Sequence, residues 1–163
     1  MMITIREYQS SDKDTLLVLI KKLHDFVVGI DPAQRVRHMP GYGENYLKKT
    51  LANIAKQNGK IYFAESGGEI IGFTVGVVGE KQSEEDLLEV IPNTLGIVLD
   101  LYVDENYRGQ HVGTLLIEKI AEYLKSVGCD NLWVQVFAPN EKAHTFYKKF
   151  GFMDREIGMV KKI

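Results

Sequence analysis

The chain has 163 residues, of which 45% are hydrophobic and 26% charged, a composition that fits one ordinary globular domain over residues 1–163, large enough to bury its own core. A net charge of −2 and a pI near 6.1 provide no basic field for nucleic acid or an anionic membrane, and no apolar run approaches the roughly 20 residues that span a bilayer. The single cysteine, Cys129, has no partner for an internal disulfide and no neighbours for a metal site.

Met2 to Tyr8 alternates apolar and polar residues as a half-buried strand does, and Ser10-Ser11-Asp12 supplies a helix cap. The first residues lack the basic start, apolar block and cleavage site of a signal peptide, so a cytoplasmic protein is expected. Leu16, Leu19, Ile20, Leu23 and Val27 form the stripe of a first helix that should stop near Gly29. A loop rich in proline and glycine follows to Gly43, and a second helix is predicted from Glu44 to Gln57 with Leu47, Leu51 and Ile54 inward. Lys60–Ala64 and Glu69–Val78 read as two strands of a hairpin around Ser66-Gly67-Gly68. Glu80 to Asn93 is polar and acidic, and it leads into a strand over Leu95–Val103. After a polar turn, Val112, Leu115, Leu116, Ile120, Leu124 and Val127 recur at helical spacing up to Gly128. A strand over Asn131–Phe137, a helix after Asn140 and a last strand over Met153–Ile163 complete the chain. The order β-α-α-β-β-β-α-β-α-β gives a mixed α/β sheet, antiparallel in front with a β-α-β crossover behind.

The stretch from Leu99 to Thr114 carries the chemistry. It passes from an apolar strand through a tight turn, Tyr107-Arg108-Gly109-Gln110-His111-Val112-Gly113-Thr114, straight into a helix. A helix start leaves backbone N–H groups unpaired and carries roughly half a positive charge, so it binds phosphate oxygens. Arg108 adds charge, and Gly109 and Gly113 allow close approach. The spacing is not the G-x-G-x-x-G of dinucleotide folds, and no lysine stands between Gly113 and Thr114 as a P-loop requires.

The turn resembles the pyrophosphate loop of the GNAT N-acyltransferases, [RQ]-x-x-G-x-[GA] after a strand of the L-Y-V type. Arg108 and Gly113 fall on its outer positions, and His111 stands where the family usually has its first glycine. Downstream, Asn140, Ala143, Phe146, Tyr147, Gly151 and Phe152 match the closing pattern N-x-x-A-x-x-[FL]-Y-x-x-x-G-F. The resemblance covers Ile97 to Phe152 closely and implies a GNAT-like fold with acetyl-CoA as co-substrate and no metal.

It further implies that backbone groups of Arg108, Gly109, Gln110, His111, Val112, Gly113 and Thr114 hold the pyrophosphate. Those of Leu101, Tyr102 and Val103 would pair with the pantetheine arm. Asn140, a good helix cap, would also reach the pantetheine amides, and Tyr147 would protonate the departing thiolate. Asp100, beside the central strand, is the first candidate to take the proton of an amine or to bind it electrostatically. A Cβ at His111 costs roughly 1–2 kcal/mol if the backbone there is left-handed. The expected activity is acetyl transfer to a primary amine of a small molecule or peptide, with no nucleic-acid or membrane partner and a homodimer compatible with the reading. Two rivals stay open: a non-catalytic acyl-CoA sensor on the same fold, and an acyltransferase using a longer acyl group.

Overall fold

The computed structural model describes residues 2–163. Nine regular elements follow one another: β1 (Ile3–Glu7), α1 (Lys13–Ile30), α2 (Tyr42–Lys56), β2 (Lys60–Ser66), β3 (Glu69–Val78), β4 (Leu95–Val103), α3 (Val112–Ser126), β5 (Asn131–Val134) and α4 (Glu141–Lys149). The five strands form one sheet in sequence order, antiparallel from β1 to β4 and parallel between β4 and β5. No helix among the described residues is long and apolar enough to cross a membrane.

Each face of the sheet has its own core. Leu16, Leu19 and Ile20 of α1 and Leu47 of α2 pack on Ile61, Phe63, Phe73, Val75 and Tyr102. On the other face, Val112, Leu116, Ile117, Ile120 and Leu124 of α3 pack on Tyr62, Ala64, Ile71 and Val98. Ile117, outside the stripe expected from the sequence, is fully buried there. The sheet lets α3 lie close because Gly76 has no side chain: a Cβ there would stand 2.5 Å from Ile120 Cγ1.

Polar side chains set the entry and exit of α1. The Asp12 carboxylate accepts from the Gln9 N–H at 2.8 Å and from both Arg6 amino groups at 2.7 and 3.0 Å, which ties β1 to the helix start. The helix runs past Gly29, and its end is set by Asp31, whose carboxylate accepts from the N–H groups of Ala33, Arg35 and Val36. These bonds hold Asp31 below the usual carboxylate range.

The feature that shapes β4 is a bulge. Val75 pairs with Asp100 and Gly76 with Val98, so Leu99 is an extra residue opposite nothing on β3. Val98 therefore lies on the α3 face, whereas Tyr102 lies on the α1–α2 face, although the two are an even number of residues apart. The ladder to β5 ends at Val98–Val134, just before the bulge, so β5 stops short of the expected Phe137.

The expected last strand is absent: Met153–Ile163 forms no strand. The segment has apolar residues to offer a sheet, but Asp154 is tied to α4 instead. Phe152 turns back through a bond from its N–H to the Tyr147 carbonyl. The Asp154 carboxylate is then held by His144 Nε2 at 2.6 Å and Lys148 Nζ at 2.7 Å, both on α4. Beyond that anchor Ile157, Met159 and Ile163 are exposed.

Candidate active site

The turn after β4 is fastened at both ends. Asp104 accepts from the Asn106 N–H at 3.2 Å and pairs with Lys22 of α1 at 3.1 Å, while Gln110 donates to the Asn106 carbonyl at 3.1 Å. Arg108 Nε donates to the Val103 carbonyl at 3.1 Å, so this arginine braces the turn as well as charging it. Gly109 and His111 are both left-handed, with φ of +78° and +63°. His111 therefore carries the backbone cost anticipated for it, about 1–2 kcal/mol, and its side chain makes no cap bond to the helix.

Leu115 is paired to the His111 carbonyl, and the N–H groups of Val112, Gly113 and Thr114 precede it at the helix start, where no intrahelical partner exists. Arg108, Gly109, Gln110 and His111 are exposed beside them, so the arrangement can cradle an anion. The missing Cβ of Gly113 points at the Phe146 ring, 3.4 Å away, and at Val103. A Cβ there would make ordinary contact with the ring. Next to that contact, Glu141, Lys142, Thr145, Phe146 and Lys149 line a surface concavity of about 380 Å³.

Past Val98 one edge of β4 has no strand beside it, which leaves backbone groups of Leu99 to Val103 facing the gap between β4 and β5. Leu101, Tyr102 and Val103 lie along this edge. Asn140 caps α4 by accepting from the Ala143 N–H at 3.2 Å, as its sequence position predicts. Helix α4 places Tyr147 against Phe146 and Phe152 with 7% of its surface exposed.

Asp100 is on the other side of the same edge. It is 7% exposed, and Oδ1 accepts from the Tyr46 hydroxyl of α2 at 2.8 Å. Oδ2 has no partner. The Asp100 carbonyl accepts from the buried Thr74 hydroxyl at 2.9 Å. Burial pushes the Asp100 carboxyl up to about 6, with the Tyr46 bond acting in the opposite direction. Tyr147 is pushed above the usual phenol range, first by burial and then by the charge of Asp100. The bulge thus turns toward α2 a carboxyl that burial pushes up to about 6, while the Tyr147 phenol stands on the α3 side of the sheet.

Two members of this group, Tyr46 and Thr74, carry no mark in the sequence. Tyr46 shares a helical face with Tyr42, one turn earlier on α2. Tyr42 stacks on His38 with ring centroids 4.7 Å apart and meets the tilted ring of His24 at 4.3 Å. His38 Nε2 lies 3.2 Å from Asp25 Oδ1, and burial lowers the pKa of His24. His38 and Tyr42 border a second concavity, of about 400 Å³, with Lys21 and Asp25 of α1. Among the described residues no group of His, Cys, Asp and Glu is arranged to hold a metal ion.

Residues 26–152 match the model of the acetyltransferase (GNAT) family. The mouse thialysine N-ε-acetyltransferase is 28% identical over 157 residues, covering 92% of this chain and 84% of the relative. Glucosamine 6-phosphate N-acetyltransferase of Trypanosoma brucei brucei is 29% identical over 65% of this chain and 70% of its own length. Among solved structures, a predicted acetyltransferase of Clostridium acetobutylicum with acetyl-CoA superposes with a TM-score of 0.75 at 15% identity, covering 99% of this chain and 96% of that one. A strand with an open edge, a helix start that cradles anions and a family match across three quarters of the sequence lead to one assignment: the chain belongs to the GNAT acetyltransferase family and is an acyl-CoA-dependent N-acetyltransferase.

Proposed function

We propose that the protein transfers the acetyl group of acetyl-CoA to a primary amine of a small molecule or peptide by direct attack. The observation that carries this reading is the open edge of β4, with Asp100 and its unpartnered Oδ2 on the α2 side and Tyr147 on the α3 side. The C. acetobutylicum structure with acetyl-CoA supports the choice of acyl donor, and relatives named for thialysine and glucosamine 6-phosphate support a primary amine as acceptor.

The residues present fit the donor. Free N–H groups from Val112 to Thr114, with Arg108 beside them, suit a pyrophosphate. The unpaired backbone of Leu101 to Val103 suits the amides of an extended arm. Lys142 and Lys149 in the adjoining concavity suit the charge of its nucleotide end. Acetyl-CoA supplies a thioester carbon open to attack.

Asp100 accepts the proton that an alkyl ammonium of pKa about 10.4 must lose. As the new C–N bond forms and the C–S bond breaks, Tyr147 gives its proton to the leaving sulfur. A Val103 or Leu101 N–H faces the oxygen on which negative charge develops.

Calorimetric titration with acetyl-CoA, CoA and NAD, followed by an amine panel read by CoA release, tests this proposal. Binding of acetyl-CoA and CoA with turnover of a primary amine is expected. Binding of NAD without CoA would overturn the site, and CoA binding without turnover of any amine would favour a sensor.

A further inference from the structure

We infer that Tyr46 is the positioning residue for the Asp100 carboxylate, holding Oδ1 so that Oδ2 alone faces the acceptor amine. The inference rests on the reading of Asp100 as the base.

Four observations carry it. The bond from the Tyr46 hydroxyl to Oδ1 is 2.8 Å and joins residues 54 positions apart, so it belongs to tertiary structure and not to local geometry. Helix α2 is held in place on either side of Tyr46 by buried Gly43, Leu47 and Thr50, which fixes where the hydroxyl arrives. Asp100 is buried, and no other side chain donates to its carboxylate, since Thr74 takes the backbone carbonyl instead. The bulge at Leu99 is what directs Asp100 toward α2 in the first place.

The physical consequence is a division of labour between the two oxygens. With one occupied by a neutral donor, an incoming proton has a single acceptor, Oδ2, at a defined place. The donor also stabilises the charged form against burial, which keeps the carboxyl ionised near neutrality. The groups that face Asp100 from neighbouring elements are few. Tyr46 comes from α2, Tyr147 from α4 and Thr74 from β3, and Tyr102 follows on β4 itself. Lys22 of α1 is engaged with Asp104.

The test is Tyr46→Phe, which removes one oxygen and keeps the ring. The first measurement is the ¹³C titration of the Asp100 carboxyl in the free protein, assigned with Asp100→Asn. The transition is expected to move from about 6 to about 7 on loss of one donor to a charged acceptor. The second is the pH profile of kcat/KM with acetyl-CoA and the amine that the panel selects. Its acidic limb should move upward with the carboxyl, so the variant loses about fivefold more at pH 6 than at pH 8.5. An unmoved carboxyl titration overturns the proposal, and so does a moved titration with an unmoved acidic limb, which would make the bond structural only. Failure of the underlying reading looks different: Asp100→Asn would keep wild-type kcat/KM whatever Tyr46→Phe does.

Discussion

The buried hydroxyl of Thr74 donates to the carbonyl of Asp100 at 2.9 Å, at the point where β4 bulges away from β3. The bond satisfies a backbone acceptor beside the irregularity and anchors the residue proposed as the base. Thr74→Val keeps the shape and removes the donor. Leaving the acceptor unpaired should cost about 1–3 kcal/mol, lowering the melting temperature by about 2–12 °C, and a calorimetric scan reads it. An unchanged melting temperature would show that the carbonyl finds another partner.

His111→Gly should relieve a strained position. The left-handed backbone at +63° costs a residue with a Cβ about 1–2 kcal/mol, and the greater freedom of glycine in the unfolded chain takes back about 0.4–1 kcal/mol. A net gain of up to about 1.5 kcal/mol is expected, with acetyl-CoA affinity kept within a few fold by calorimetry. A tenfold loss of affinity would mean that the imidazole contacts the cofactor.

Tyr147→Phe keeps the ring packed against Phe146 and Phe152 and removes only the acid. Acetyl-CoA affinity should stay within a few fold while kcat falls by roughly 10²–10⁴. An unchanged kcat in the amine assay would leave Tyr147 as a packing residue.

Asp100→Asn should make the protein more stable at neutral pH and less active. The folded-state pKa of Asp100 is raised from 3.8 to about 6 by burial, so the folded state favours the protonated form. Its contribution is fully present below pH 3.8 and is lost as pH rises through about 6. The difference bounds the gain for the neutral variant at about 3 kcal/mol above that range, falling away toward pH 3.8. Paired denaturant titrations at pH 4 and pH 7.5 measure it, because the other carboxylates cancel between the two proteins. An equal difference at both pH values would mean that the carboxyl titrates normally.

The parts legible from sequence are those governed by local rules. Strand β3 and strand β4 have the bounds their apolar runs and flanking turns suggest, and the stripe of α3 differs by gaining Ile117, by leaving Leu115 half-buried and by ending before Val127. The turn from Arg108 to Thr114 was readable because a strand, a glycine-rich turn and a helix follow one another in a short span. Tyr46 was not, since its partner lies 54 residues away and an aromatic on an amphipathic helix reads as core. The last strand misled for the opposite reason: Met153–Ile163 scatters apolar residues as a strand might, but pairing depends on a neighbour, and Asp154 ties the segment to α4. Gly113 opens α3 where the sequence puts a helix start, and the direction of its absent side chain, toward Phe146, depends on how α3 and α4 pack.

The extra residue at Leu99 makes this strand tolerant of one kind of mutation and intolerant of another. Substituting Leu99, which is 39% exposed, changes surface chemistry and leaves the pairing of its neighbours alone. Deleting it restores strict alternation with Val98 and turns everything after it over: Asp100 leaves Tyr46 for the α3 side, and Leu101 and Val103 face α1 and α2. Variation by exchange can tune this strand gradually, whereas variation in length by one residue separates the carboxyl from its partner in a single step.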